Sequence, residues 1–226
     1  MPPIFGLDRC GNIRTRNIGW FRIPIQLIFW ENESNAPTEN MKNFLVIDFE
    51  ATCSSDRSIP REEMEIIEIG AVMVCHHKLE PLDEFQAFVR PLRNPELTSY
   101  CRELTSISQR QVDSAATFPE VIERLSAWVR NRAAFVFCSW GDYDRRQLRQ
   151  DCRWHQVEYP FDKEHINLKQ SFAKIHGRKK QGVKSALGSV GLSFDGCHHR
   201  GIDDARNISR LLPFIFGGGS AIEAEA

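Results

Sequence analysis

Two carboxylates inside one short apolar segment constrain this chain more than any other feature of its sequence. Residues 44–50 read Phe-Leu-Val-Ile-Asp-Phe-Glu, a run typical of a strand that is covered on both faces. Side chains two positions apart on a strand share a face, so Asp48 and Glu50 are aimed at one point. Burying two like charges is costly unless a cation neutralises them. The pair indicates either a divalent-metal site or a strand end at the sheet rim with solvated acids.

Further apolar patterns predict an α/β domain. The predicted elements are strands over 66–75, 85–90 and 133–138, and helices after Gly141 and over 183–190 and 203–212. Residues Thr117-Phe-Pro-Glu120 form a capping box with proline in the first turn, and the apolar residues after it recur at helical spacing. Strands first, then alternating helices and a strand, favour one α/β domain on a mixed central sheet flanked by helices.

Composition excludes several classes of protein. The chain has 226 residues, enough for one domain with a core, and its 29 basic and 30 acidic residues give a net charge of −1. That balance argues against coating long duplexes by charge alone, but not against gripping a few nucleotides. Seven cysteines without a Cys-x-x-Cys pair indicate free thiols in a reducing compartment. No segment reads as a membrane span or a secretory signal, so we expect a cytoplasmic protein without a membrane partner.

The two ends of the chain differ from the region between them. Residues 1–40 show no sustained period and end in a polar run just before Met41. We predict either a poorly ordered extension or a stretch that is not translated, with synthesis starting at Met41. The domain is then predicted over 41–215, and the Gly-rich residues 216–226 are predicted to be a flexible tail.

A second acidic motif, Trp140-Gly-Asp-Tyr-Asp144, lies where a predicted strand turns into a helix. The end of a strand in an open α/β sheet is the usual place for a ligand site. Asp142 has the position of a helix N-cap, which is the commonest role for aspartate there. Asp144 lies in the first turn beyond it, where it can face the same site.

A third motif pairs histidines with aspartates five residues later, across a glycine. Histidine titrates near neutral pH, so it can take a proton from water and release it again. The two possible pairs are His198 with Asp203 and His199 with Asp204, and spacing alone does not choose between them. Together the three motifs suit hydrolysis of phosphodiesters with two Mg²⁺ or Mn²⁺ ions held by carboxylates. The closed His and Cys spacing of a zinc site is absent.

The three motifs resemble those of the DEDDh family of 3′–5′ exonucleases, which have a ribonuclease H-like fold. Asp48-Phe-Glu50, Gly141-Asp-Tyr-Asp144 and His199-x4-Asp204 match its first, second and third motifs. Supporting stretches resemble the Eri-like exoribonuclease branch: Glu65-Ile-Ile-Glu68, Phe88-Val-Arg-Pro91, Leu104-Thr-Ser-Ile107 and Gly201-Ile-Asp-Asp-Ala-Arg-Asn207. The resemblance covers residues 43–213. No separate RNA-binding domain of the kind that some Eri-like proteins carry fits into residues 1–40.

The resemblance also assigns roles. The family's last aspartate precedes a small residue, which selects Asp204 before Ala205 as metal ligand and His199 as general base. The metal ligands it implies are Asp48, Glu50, Asp144 and Asp204. The residues it implies for the terminal nucleotide are Phe49, Ala51, Thr52, Glu68 and Thr105.

Basic residues near the second and third motifs have two interpretations. Lys184, with Arg178-Lys-Lys180, could contact phosphates of an incoming strand, or the stretch could be a solvated loop. Arg145, Arg146 and Arg149 carry the same ambiguity.

The activity expected from all this is removal of nucleoside 5′-monophosphates from the 3′ end of single-stranded nucleic acid. RNA is favoured over DNA only by the Eri-like resemblance, because the bond chemistry is the same for both. The alternatives are a DNA-specific exonuclease, a non-catalytic nucleic-acid-binding module on the same fold, and a ribonuclease H-like endonuclease, which the histidine five residues before the last acid disfavours.

Overall fold

A five-stranded mixed sheet forms the centre of the molecule. The computed structural model describes residues 42–130 and 132–217. The strands are β1 (Asn43–Ala51), β2 (Ile66–Val74), β3 (Pro81–Phe88), β4 (Phe135–Ser139) and β5 (His165–Asn167), in the spatial order β3-β2-β1-β4-β5. β2 is antiparallel to β1 and β3, whereas β4 is parallel to β1 and β5. This mixed α/β architecture confirms the fold class predicted from the sequence.

Helices cover both faces of the sheet. They are α1 (Ser99–Thr105), α2 (Gln109–Asp113), α3 (Phe118–Arg130), α4 (Tyr143–His155), α5 (Leu168–Ile175), α6 (Val183–Gly188), α7 (Gly201–Ser209) and α8 (Leu212–Phe216). A 3₁₀ turn occupies Arg61–Glu63. One of the two bonds of the predicted capping box is present, because the backbone N–H of Thr117 donates to Oε2 of Glu120 at 2.7 Å as α3 begins. The Thr117 hydroxyl donates to the same carboxylate oxygen at 2.6 Å.

The alternation of side chains along β1 separates two apolar cores and positions the acids. Leu45, Ile47 and Phe49 pack in the core shared with α3 and α4. Val46 packs in the core shared with α5, α6, α7 and α8. Asp48 and Glu50 follow Val46 at steps of two, so both carboxylates lie on the side of the sheet that α7 covers.

The predicted boundaries differ from the structure where patterning is weakest. The third strand begins at Pro81 rather than at residue 85, because its first half is an exposed edge with no apolar run to detect. Helices α1, α2 and α8 are seven residues or shorter, too short to show a helical period. α5 and β5 also escaped prediction, and α7 begins two residues earlier than predicted.

The predicted terminal segments lie largely outside the described residues. All of 1–40 and the part of the tail over 218–226 are in this category. The first residue assigned to the tail, Phe216, is the last residue of α8, and its ring stacks on Phe44 with centroids 4.6 Å apart. Among the helices of the described residues, none has the length and apolar character needed to cross a bilayer.

Candidate active site

Four carboxylates from three elements converge on one cavity of about 380 Å³. We call it the acid cavity, and define it by Asp48 and Glu50 of β1, Asp144 of α4 and Asp204 of α7. The carboxylate oxygens of Asp48, Glu50 and Asp204 lie within 4.8 Å of one another. The structure therefore brings together all four acids that were predicted from separate motifs.

Asp144 reaches β1 between the two acids of that strand. Its Oδ1 accepts a hydrogen bond from the backbone N–H of Phe49 at 3.1 Å, in a buried position at the first turn of α4. Asp142, its neighbour in the motif, is half-buried and accepts instead from Arg145 (2.9 Å) and Asn167 (3.0 Å). The contact with β1 thus distinguishes Asp144 from Asp142.

A close approach between two glycines places α7, and with it Asp204, against the sheet. Gly70 of β2 pairs with Asp48 in the register of β1 and β2. A Cβ at Gly70 would overlap the backbone of Gly201, the first residue of α7, and a Cβ at Gly201 would lie 2.9 Å from the carbonyl oxygen of Asp48. Only glycine permits this backbone contact, which places the first turn of α7 directly against β1 and β2.

Glu68 stabilises the contact between the first turn of α7 and the sheet. It is fully buried on β2, and its carboxylate accepts hydrogen bonds from Nε of Arg200 (3.0 Å), the backbone N–H of Gly201 (3.0 Å) and Nε2 of Gln86 (2.7 Å). An anionic side chain at the N-terminus of α7 is favourable because the N–H groups there have no partner within the helix. Glu68 therefore holds the third motif on the sheet, and it does not line the acid cavity.

The cavity is electrostatically suited to a cation. Burial raises the pKa of Asp48 well above its usual range, with added repulsion from Asp144, Glu50 and Asp204. Burial and repulsion from Asp204 and Glu68 raise the pKa of Glu50 to about 9. Burial also raises the pKa of Asp144 and of Asp204 to about 6, against the opposing effect of backbone N–H donors. Such crowded oxygens fit a hard divalent ion, which supplies the missing positive charge.

Both histidines of the third motif lie at the cavity. The backbone N–H of His199 donates to Oδ2 of Asp204 at 2.7 Å, and His199 has a positive φ of 63°. Nε2 of His198 is 3.8 Å from Oδ1 of the same aspartate. Burial lowers the pKa of both imidazoles, that of His198 to about 4, and the positive charge of Lys184 acts in the same direction. Each ring is thus favoured as the neutral base, and geometry leaves the choice between them open.

The residues predicted to meet the terminal nucleotide fall into two groups. Phe49 and Ala51 line the acid cavity. Thr52, Glu68, Thr105 and Lys184 are not among its lining residues. The hydroxyl of Thr52 accepts from the backbone N–H of Glu65 at 2.9 Å, just before β2. The hydroxyl of Thr105 donates to the carbonyl oxygen of Cys101 at 2.8 Å within α1 and accepts from the backbone N–H of Ile107 at 3.2 Å, which fixes the chain after the helix.

Sequence reasoning missed most of the apolar wall of the cavity. The additional lining residues are Cys53, Met64, Leu104, Trp140, Tyr143, Gly182 and Val183. Trp140 and Tyr143 flank the second motif, so proximity to Asp144 was a usable signal. Met64 follows the 3₁₀ turn and Leu104 lies near the end of α1, so both are remote in sequence from the three acidic motifs. The family resemblance included the stretch that begins at Leu104, but no pattern indicated that either side chain lines the cavity.

Comparison with known proteins assigns the class. The model of the exonuclease family RNase_T matches residues 45–212. The rat protein 3′-5′ exoribonuclease 1 is 35% identical over 189 residues, covering 79% of this chain and 54% of the rat protein. The chain spans about half the length of the curated relatives it matches first.

Solved structures share the fold. The nuclease domain of 3′hExo, described as a DEDDh family member bound to rAMP, superposes with a TM-score of 0.73 at 31% identity, covering 82% of this chain and 96% of that one. A 3′-exonuclease described in recognition of the histone mRNA stem-loop gives a TM-score of 0.73 at 32% identity, covering 78% of this chain and 64% of that one. Fold and site together define a ribonuclease H-like nuclease domain of the DEDDh class. The chain belongs to the exonuclease family.

Proposed function

We propose that this protein hydrolyses the 3′-terminal phosphodiester of single-stranded nucleic acid, with RNA preferred, and releases nucleoside 5′-monophosphates. The observation that carries the proposal is the convergence of Asp48, Glu50, Asp144 and Asp204 on one cavity beside two histidines. The relatives named 3′-5′ exoribonuclease and the neighbour bound to rAMP support both the polarity and the choice of RNA.

The four carboxylates would hold two Mg²⁺ or Mn²⁺ ions. Ions bound there would stabilise negative charge on the attacking and leaving oxygens of the phosphodiester. The backbone N–H of Phe49 and that of His199 keep two of the carboxylates oriented before any ligand arrives. That preorganisation spares the site a rearrangement during the reaction.

His199 is the proposed general base. Its lowered pKa keeps the ring neutral near pH 7, so it can accept a proton from the attacking water. Phe49, Ala51 and Tyr143, which all line the cavity, would contain the terminal nucleoside. Lys184, exposed just after the lining residue Val183, would meet a phosphate of the incoming strand.

The cell compartment proposed is the reducing cytoplasm. The cysteines of the described residues are all free: Cys53, Cys75, Cys101, Cys138, Cys152 and Cys197. Free thiols are the usual state in a compartment kept reduced by glutathione and thioredoxin. Microscopy of the tagged natural protein tests this location. Signal inside a membrane-enclosed compartment would contradict it.

Digestion of matched 5′-labelled RNA and DNA oligonucleotides with Mg²⁺, Mn²⁺ or EDTA tests the proposal. A metal-dependent ladder that shortens from the 3′ end is expected, faster on RNA. Asp204→Asn should abolish the ladder, whereas Asp203→Asn should not, because Asp203 lies outside the cavity and binds the backbone N–H of Cys197 at 2.9 Å. Binding without cleavage by the folded protein would point to a non-catalytic module, and cleavage of a circular substrate to an endonuclease.

A further inference from the structure

A second concave surface, rich in arginine, lies on the exposed side of α4. This groove of about 600 Å³ includes Arg61, Arg93, Arg146, Arg149, Arg153 and Trp154. We call it the arginine groove. Arg61 belongs to the 3₁₀ turn and Arg93 to the loop after β3, while the other three come from α4. Three distant parts of the sequence thus contribute positive charge to one depression.

The five guanidinium groups have no carboxylate partners among residues 42–130 and 132–217. Arginines elsewhere in the described chain do form ion pairs, such as Arg200 with Glu68 and Arg206 with Glu84. Within the described part of the chain, Glu62 is the only acidic residue that lines the groove. The net charge of the chain is −1, so negative charge elsewhere balances this local excess of positive charge. An anion is therefore attracted to the groove and not to the protein surface as a whole.

The arginines of α4 are spaced to follow a linear anion. Arg146, Arg149 and Arg153 are three and four residues apart, so they form a stripe on one side of the helix. Seven residues of helix span about 10 Å. A stacked nucleic-acid strand carries roughly three phosphates over that length. The number and spacing of charges therefore suit a sugar–phosphate backbone lying along α4.

An aromatic surface accompanies these charges. Trp154 remains 37% exposed, and the guanidinium carbon of Arg93 lies 4.1 Å from its ring centroid. Arginine beside an exposed aromatic ring is the combination that single-stranded nucleic-acid binders use, because bases stack on the ring while phosphates pair with the charge. A purely acidic protein partner would not need the ring.

The groove adjoins the acid cavity. The guanidinium carbon of Arg61 lies 4.9 Å from the ring centroid of Tyr143, and Tyr143 lines the acid cavity. Met64, which also lines the cavity, is tied to the same turn because Nε2 of Gln150 donates to the carbonyl oxygens of both Arg61 (3.0 Å) and Met64 (2.9 Å). One wall therefore separates the two depressions, with acid on one side and arginine on the other.

We propose that the arginine groove binds the sugar–phosphate backbone of the nucleic acid whose 3′ end occupies the acid cavity. This inference rests on the proposed function for the identity of the strand. It identifies Arg146, Arg149 and Arg153 as binding residues for nucleotides upstream of the scissile bond. It also resolves the ambiguity of the α4 arginines in favour of phosphate contact for Arg146 and Arg149.

Binding of a 5′-fluorescein 12-nucleotide RNA to the full chain in EDTA tests the groove separately from hydrolysis. The test variant is R146Q/R153Q, since both residues are exposed and glutamine suits a helix. The matched control is R124Q/R130Q, which removes the same charge from the exposed side of α3, away from the groove. Kd is measured by fluorescence anisotropy between 50 and 200 mM salt, and thermal unfolding shows that each variant is folded.

The groove variant should bind about tenfold more weakly than wild type at 200 mM salt. Losing two phosphate contacts should reduce the slope of log Kd against log salt by about 1.4, so the deficit grows roughly sevenfold further at 50 mM. R146K/R153K should recover most of the affinity. The proposed role of the groove would be overturned if R146Q/R153Q bound RNA as tightly as R124Q/R130Q. It would also be overturned if the wild-type protein did not bind RNA. Absence of cleavage with Mg²⁺ would overturn the proposed function instead, while leaving the binding result to stand.

Discussion

The acid cavity and the arginine groove lie on two sides of one wall and differ in how their charged groups are solvated. In the cavity, four carboxylates are packed together, and burial raises the pKa of each of them. In the groove, five arginines are exposed or half-buried, so water solvates their guanidinium groups. Clustering like charge is costly when it is buried and inexpensive when it is solvated.

This difference determines what each region can do. Buried charges interact strongly with a bound ion and with each other, so the cavity is suited to chemistry and tolerates no loss of a member. Solvated charges each contribute little, and salt screens them. We therefore expect single substitutions to abolish function in the cavity but only to weaken binding, additively, in the groove.

The largest expected effect separates Asp144 from Asp142. Asp144→Asn should lower kcat/KM for RNA about a thousandfold, because a metal ligand contributes several kcal/mol of transition-state stabilisation. The asparagine oxygen can still accept from the backbone N–H of Phe49, so the fold is expected to persist. Asp142→Asn, outside the cavity, should stay within a few-fold of wild type. Initial rates on a short RNA measure both.

The same pair tests whether cavity and groove act separately. In EDTA, Asp144→Asn should bind the 12-nucleotide RNA at least as well as wild type, since it removes a negative charge near the strand. The comparison breaks down if Asp142→Asn proves the more damaging variant, or if Asp144→Asn loses binding as severely as it loses cleavage.

A smaller effect decides between the two histidines. His199→Asn should lower kcat/KM about a hundredfold, the lower range for removal of a general base. Asparagine tolerates the positive φ of His199, which limits any backbone effect. His198→Asn should cost less than tenfold. The pH profile gives the second readout: the fall in kcat/KM at acid pH should become less steep in His199→Asn, where only protonation of the metal ligands still contributes to it, and should keep its wild-type steepness in His198→Asn. The reverse pattern would assign the base to His198.

The acids were predictable from sequence because their spacing reflects local geometry. Alternation along a strand places Asp48 and Glu50 together whatever else the chain does, and the apolar run around them marks a central strand. The resemblance to a known family then selected Asp144 and Asp204 from neighbouring aspartates. The family and the fold it implied are confirmed; the roles of individual residues stay predictions.

What escaped prediction depends on contacts between remote segments. Gly70 gave no sign that its missing side chain admits Gly201, since that contact exists only once α7 lies on the sheet. The arginines of α4 are visible as a periodic stripe, but Arg61 and Arg93 join them through loops that no local pattern places. The contact of Glu68 with substrate stays a prediction. Its hydrogen bonds from Gln86 and Arg200 join segments that no local pattern places together.

The smallest expected effect is on thermal stability, and it follows from the sign of the pKa shifts. The pKa of Asp144 and Asp204 is raised to about 6 in the folded state, so the folded protein retains protons that the unfolded chain has released. That stabilisation is present at acid pH and is lost as pH rises through about 6. Divalent metal replaces those protons, so Mn²⁺ should raise Tm more at pH 8 than at pH 5.5.

The expected increase in Tm at pH 8 is about 5–10 °C when the metal concentration is a hundredfold above Kd. Glu50→Gln mimics the protonated side chain, whose pKa is raised to about 9, so it should leave the metal-free Tm nearly unchanged and remove most of the increase. R146Q/R153Q should show the full increase, because the groove takes no part in holding metal. An increase that is equal at both pH values, or one that survives in Glu50→Gln, would place the stabilising ion outside the acid cavity and undo the contrast between the two regions.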